Sequence, residues 1–189
     1  MKSLIYVGGV MGVGKSKLLE SVINNQEGGD IIIELGQLIR KEALTQNLIN
    51  NELEFYELPR DVIRNLRRTV IGRIKILIEC EGYSRIIFSS HYSLPIGDKI
   101  ISTFNSATSF SYNKLILVEC APEQLARRII LSERKRKISE YNKLEFYLLQ
   151  EREIALSLAQ KLNLPLYIVQ NDDFTKACEM LKYYIYEAK

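Results

Sequence analysis

The sequence predicts one α/β domain, a parallel sheet covered by helices on both faces. Three observations predict it. Five short β-rich runs alternate with segments of helical periodicity. Several of those runs, such as "DIIIEL" and "KLILVEC", are apolar on successive residues, as strands buried on both faces are. The first run also opens directly into a glycine-rich loop and then a helix. Parallel neighbours need long crossovers, and helices of this length supply them.

In chain order, "SLIYVG" (Ser3 to Gly8) reads as the first strand. Leu18, Leu19, Val22 and Ile23 then give helical spacing over Lys15 to Asn25, closed by the turn-forming "NNQEGG". Asp30 to Leu35 is the second strand. A helical tract runs from about Gly36 to Leu48, with a turn at "INNE" after it. A long helix starts after Pro59, with Asp61 in its first turn, where an acidic group favours the helix dipole. Ser84 to Ser90 and Lys114 to Cys120 are the third and fourth strands. Pro122 to Lys137 forms a helix opened by Pro and Glu, and Asn142 to Leu162 another. Leu164 to Gln170 is the fifth strand. The chain closes on a helix that Asp172 or Asp173 is suited to cap.

With 189 residues, 47% apolar and 26% charged, the chain has the size and composition of one soluble domain. A net charge of +3 is too mild to imply nucleic acid as a partner, and "ERKRK" (Glu133 to Lys137), which concentrates positive charge, also fits a solvated helix face. Cys80, Cys120 and Cys178 stand far apart without a CxxC pair, which predicts buried free thiols in a reducing compartment. No signal-peptide pattern opens the sequence, and no apolar stretch nears the ~20 residues of a membrane span. The expected setting is the cytoplasm.

Gly9-Val10-Met11-Gly12-Val13-Gly14-Lys15-Ser16, followed by Lys17, fits G-x-x-x-x-G-K-[ST]. Glycines let main-chain N–H groups converge on a polyphosphate, and the helix behind adds the positive end of its dipole. Lys15 can reach β- and γ-phosphate oxygens, and the Ser16 hydroxyl can join the shell of Mg²⁺. The motif lies where that mechanism needs it, after a strand and before a helix, so it predicts ATP with Mg²⁺. There is no guanine-reading N-K-x-D motif and no apolar run ending in Asp-Glu of the motor-ATPase kind. Together with the short length, this favours a small-molecule kinase.

On these residues the chain resembles the archaeal-type adenylate kinases over most of its length. "NLINNELEFYELPRDVIRNLRRTVIGRI" (Asn47 to Ile74) is similar to that family's acceptor-nucleotide region. "RIIFSSH" resembles the strand ending in Asp-Thr-His, with His91 at the His, and "LVECAPEQLARR" resembles Leu-Glu-Ala-Asp-Pro and its Arg-bearing helix. The resemblance implies a doubly wound five-stranded parallel sheet of the P-loop NTPase and nucleotide-kinase type, with strand order 2-3-1-4-5. It implies an acceptor-side helical insert at about 36–80 and a lid at about 132–142. The implied reaction is phosphoryl transfer from ATP to a nucleoside monophosphate, AMP by default, with nucleotides as partners and trimeric self-association. Arg128 takes the position of the helix arginine that packs on adenine or reaches phosphates. Arg134 and Arg136 fall in the lid, where forked, permanently charged donors suit a migrating phosphoryl group. Asn171, in "VQNDDF", falls where the family holds adenine.

The departures gather on the acceptor side. Ser89 stands where the family has the carboxylate that orients the Mg²⁺ shell; Glu34 and Glu119, near strand ends, could share that work or be caps or surface residues. Gln37 replaces an acidic residue, Tyr56 and Glu57 stand where an arginine is expected before Leu-Pro, and the adenine-reading glutamine gives way near Asn65 and Arg67. The loop after the third strand shrinks to "YSLPIG". Arg40, Arg60, Arg64 and Arg67 are replacement charges for an acceptor phosphate, the last three on one helix face, a pattern that a solvated face fits equally. The acceptor candidates are therefore Gln37, Arg40, Arg67 and His91. An ATP-binding regulatory protein with weak ATPase activity, or a kinase of another small acceptor, stays open at this point.

Overall fold

A computed structural model describes residues 2–23, 29–96, 99–102, 110–131 and 141–188. Strand β1 (Ser3–Gly8) leads through the glycine loop into helix α1 (Lys15–Ile23). Strand β2 (Asp30–Glu34) runs straight into α2 (Leu35–Thr45), and a 3₁₀ segment (Glu52–Glu57) precedes the long helix α3 (Arg60–Cys80). Strand β3 (Arg85–Ser89) is followed by a small hairpin of β4 (Ser93–Ile96) and β5 (Lys99–Ser102). Then come β6 (Lys114–Glu119), α4 (Pro122–Leu131), α5 (Tyr141–Leu162), β7 (Leu166–Gln170) and α6 (Phe174–Tyr186).

The main sheet is parallel throughout, in the order β2-β3-β1-β6-β7. Counting only its own strands, that is the expected 2-3-1-4-5. Strand alternation divides its side chains between two cores. Tyr6, Ile86, Phe88, Leu115 and Leu117 pack with Ile39 of α2, Leu66, Val70 and Ile74 of α3, and Ala155 and Ala159 of α5. Ile5, Val7, Ile87, Ile116 and Val118 face the other way, onto Leu18 and Leu19 of α1 and Leu181 and Ile185 of α6. Burying each large side chain stabilises by about 1.5–3 kcal/mol. All six residues of β6 are buried, which explains why that run shows no alternation.

Because the strands are parallel, all five carboxyl ends share one edge. That edge carries the glycine loop after β1, Glu34 at the end of β2, Ser89 and His91 at the end of β3, Glu119 of β6 and Asn171 after β7.

The β4–β5 hairpin corrects the sequence expectation of a shortened loop after the third strand. Ser93 pairs with Ser102 and Ile96 with Lys99, antiparallel, and β4 lies against α5. Four-residue strands, the first with Pro95 inside it, give no alternation strong enough to read. A second correction concerns the thiols: Cys120 is buried, whereas Cys80, at the end of α3, is exposed. Asp173 caps α6, its carboxylate accepting from Lys176 N at 3.2 Å; Asp172 instead accepts from Ala121 N at 2.7 Å. Of the C-terminal tyrosines, Tyr184 stacks on Tyr167 at 4.7 Å and the Tyr186 hydroxyl donates to Asp30. No described helix is long and apolar enough to cross a membrane. The lid segment with Arg134 and Arg136 lies outside the described residues.

Candidate active site

The loop from Gly9 to Gly14 is held at two main-chain carbonyls. Gly9 has φ +149° and Gly14 φ +95°, both in the region that favours glycine. At Gly9 a side chain would also collide with the Val118 carbonyl. At Gly14 a Cβ would sit 2.5 Å from Asn171 Nδ2. The glycine spacing therefore serves backbone shape and close approach alike.

The first anchor is the Gly9 carbonyl. It accepts from His91 Nδ1 at 2.7 Å and from the Lys15 ammonium, which also donates to the Val10 carbonyl at 3.1 Å. His91 Nδ1 and Lys15 Nζ are 3.5 Å apart. Lys15 is largely buried, so its charge stands over the loop rather than in bulk water. The second anchor is the Val13 carbonyl. It accepts from Arg128 at 2.8 Å and from Asn171 Nδ2 at 2.7 Å. The other Arg128 nitrogen donates to the Asn171 carbonyl at 2.6 Å. Asn171 is 2% exposed, and its Oδ1 finds no hydrogen-bond partner among the described residues.

Two carboxylates at the edge are held very differently. Ser16 Oγ, on the second residue of α1, donates to Glu34 Oε1 at 2.5 Å. Glu119 is gripped by both forks of Arg152, with Arg152 Nε at 2.9 Å from Oε1. Lys17 stands 5.2 Å over the Phe174 ring, away from the loop's interior, and Met11 is exposed at the loop's tip.

The residue that sequence reasoning missed is Glu151 of α5. It is 1% exposed and accepts from the amides of Tyr92 and Ser93, at 2.8 and 2.7 Å, and from the Ser93 hydroxyl. Burial pushes its carboxyl up, with the bonds from Ser93 and Tyr92 and the nearby Lys15 charge opposing. Glu151 thus fixes the turn that carries His91 to the Gly9 carbonyl. Tyr6 fixes the same turn from below, its hydroxyl donating to the His91 carbonyl at 2.6 Å. In "QEREIALS" this glutamate is indistinguishable from the exposed Glu153 two residues on.

The acceptor candidates lie on three elements: Gln37 and Arg40 on α2, Arg67 on α3 and His91 in the turn after β3. Arg40 is paired with Glu52 at 3.1 Å, and Gln37 is exposed on α2. Arg60, Arg64 and Arg68 are exposed along α3. Arg67 differs from them: it is half-buried, pairs with no carboxylate among the described residues, and lies near the Tyr6 phenol. Burial lowers its guanidinium from the ordinary arginine range, Tyr6 opposing, yet it keeps its charge at any neutral pH. His91 belongs to the loop's first anchor.

A family model described as an AAA domain matches residues 8–145, from the last residue of β1 to the start of α5. The chain belongs to that family. Adenylate kinase from Pyrococcus abyssi is 24% identical over 182 residues, which cover 92% of this chain and 88% of the relative. Adenylate kinases from Pyrococcus horikoshii and Thermococcus onnurineus are 23% and 22% identical at the same coverage. A solved shikimate kinase from Bacteroides thetaiotaomicron superposes with a TM-score of 0.59 at 18% identity. It covers 97% of this chain and 98% of its own, a likeness of fold. The resemblance to archaeal-type adenylate kinases and the P-loop kinase fold both stand, while the relatives' identities are too low to carry an acceptor across.

Proposed function

We propose that the chain transfers the γ-phosphoryl group of ATP to a nucleoside monophosphate, with AMP as the first acceptor to try. The observation that carries this reading is a P-loop held at two carbonyls by His91 and Arg128, together with a half-buried Arg67 on α3 that pairs with no carboxylate among the described residues. The loop's N–H groups and the start of α1 would cradle the triphosphate, and Lys15 would lean onto its β- and γ-oxygens. Arg128 and Asn171 keep Val13 in place and so act as positioning residues for the loop. By resemblance Arg134 of the lid would meet the phosphoryl group in flight, and Arg67 would meet the acceptor phosphate with a forked pair of donors. Such transfer needs positioning and charge stabilisation, with no covalent intermediate.

Ser16 would help to hold Mg²⁺, whose positive charge would offset that of the phosphates. An exposed hydroxyl hydrogen-bonded to a carboxylate offers the hard oxygen donors this ion prefers, so Ser16 fits it. Among the described residues no set of three His, Cys, Asp or Glu converges, which suits an ion held mainly by phosphate and water. The cytoplasm, with its ATP supply, is the proposed setting. Trimeric self-association is the proposed assembly, checked by light scattering.

A kinase of another small acceptor is the second reading, favoured by the β4–β5 hairpin and by Arg40 being neutralised by Glu52 on the acceptor side. A coupled assay with ATP against AMP, CMP, UMP and GMP decides. ADP production raised by one of them supports the proposal. A flat response to all four, from protein that binds ATP, transfers the case to the second reading or to a regulatory ATP binder.

A further inference from the structure

Resting on the ATP reading above, we propose that Glu34 is the carboxylate that orients the Mg²⁺ shell, taking over work that the chain's own third strand cannot do. Glu34 ends β2 and Ser89 ends β3, and the two are direct partners across the parallel pair. Ser89 is buried and carries a hydroxyl where a carboxylate is expected. One strand over, at the same level of the sheet, a carboxylate is present.

Its geometry then singles it out. Glu34 Oε1 accepts from the Ser16 hydroxyl at 2.5 Å, the one P-loop side-chain oxygen suited to Mg²⁺. No lysine or arginine among the described residues pairs with Glu34, so its charge is not consumed elsewhere. Glu119, the other carboxylate at this edge, is in the opposite condition, because Arg152 takes both of its oxygens. A carboxylate already saturated by a guanidinium is a poor partner for a hydrated cation. Glu34 would accept hydrogen bonds from metal-bound waters and hold the Ser16 hydroxyl with its lone pairs turned toward the ion. The bland alternative is that Glu34 only places negative charge at the N-terminus of α1.

Titration calorimetry with ATP, run in EDTA and again in excess Mg²⁺, separates the two. The readout is the gain in ATP affinity that Mg²⁺ brings, in the wild type, Glu34→Gln and Glu119→Gln. Outer-shell partners of a metal are worth roughly 10- to 100-fold in affinity. Glu34→Gln should therefore lose at least about tenfold of the Mg²⁺-dependent gain, with affinity in EDTA undiminished or tighter because a negative charge is gone. Glu119→Gln should keep the wild-type gain. The proposal is overturned if Glu34→Gln keeps that gain and shows only a lowered melting temperature, as a cap would, or if Glu119→Gln is the variant that loses it. A wild type that binds no ATP in either buffer removes the nucleotide reading, and this proposal with it.

Discussion

The glycine loop and helix α3 are held in opposite ways. Around the loop, side chains lock main-chain carbonyls: Lys15 and the distant His91 on Gly9, and the distant Arg128 and Asn171 on Val13. Along α3, Arg60, Arg64 and Arg68 stand in solvent, and Arg67 is half-buried with no carboxylate beside it among the described residues. A donor site must present fixed dipoles to a triphosphate, so it is preorganised by the fold. The proposed acceptor side keeps charge in reserve, and what it is kept for depends on the molecule that arrives.

The sharpest way to break this contrast is to disturb the loop's backbone. Gly9→Ala forces a side chain into φ +149° and onto the Val118 carbonyl. It should cost about 3 kcal/mol or more and abolish ATP binding, read by urea denaturation and calorimetry. A variant of wild-type stability would mean that the loop is not locked.

Removing one anchor should do less. Arg128→Ala deletes two bonds to main-chain carbonyls and should lower stability by about 2 kcal/mol, with weaker ATP binding. If stability held and only turnover fell, Arg128 would be a phosphate contact and not a positioning residue.

On the other side, Arg67→Ala should leave ATP affinity untouched and raise the acceptor KM roughly tenfold, the worth of one charge-assisted contact. An unchanged acceptor KM would return Arg67 to the solvated face of α3.

The smallest effect concerns Glu151. Burial raises its carboxyl above the unfolded value of 4.5, so the folded state binds the proton more tightly than the unfolded chain does. Stability from this group is full below that unfolded value and falls as pH climbs through the raised folded one. Glu151→Gln cannot ionise, so its stability relative to wild type should improve as pH rises upward from 4.5. A gap that moves the other way would show that the Tyr92 and Ser93 amides outweigh burial.

The same contrast explains how much the sequence disclosed. All five strands of the sheet were legible because apolar runs such as Lys114–Glu119 must be buried on both faces. The loop was legible because its glycines answer to backbone geometry, which a short motif records. Of its anchors, His91, Arg128 and Asn171 were legible only through the resemblance, and the supporting Glu151 not at all. His91, Asn171 and Glu151 lie 82, 158 and 59 residues from the atoms they hold, Gly9 O, Val13 O and Tyr92 N. No local pattern distinguishes a glutamate that folds inward from one in solvent. On the acceptor side the arginines were visible, but pairing with Glu52 removed Arg40 from the free charges, and that pairing is tertiary.

The central claim is that the segment from Gly9 to Ser16 holds a triphosphate under the Lys15 ammonium. Calorimetric titration of ATP into wild type and Lys15→Ala, each shown folded by circular dichroism, tests it most directly. The account predicts measurable wild-type binding that weakens roughly 10- to 100-fold in the variant, the worth of a hydrogen bond to a charged group. Equal affinities in the two proteins would contradict it.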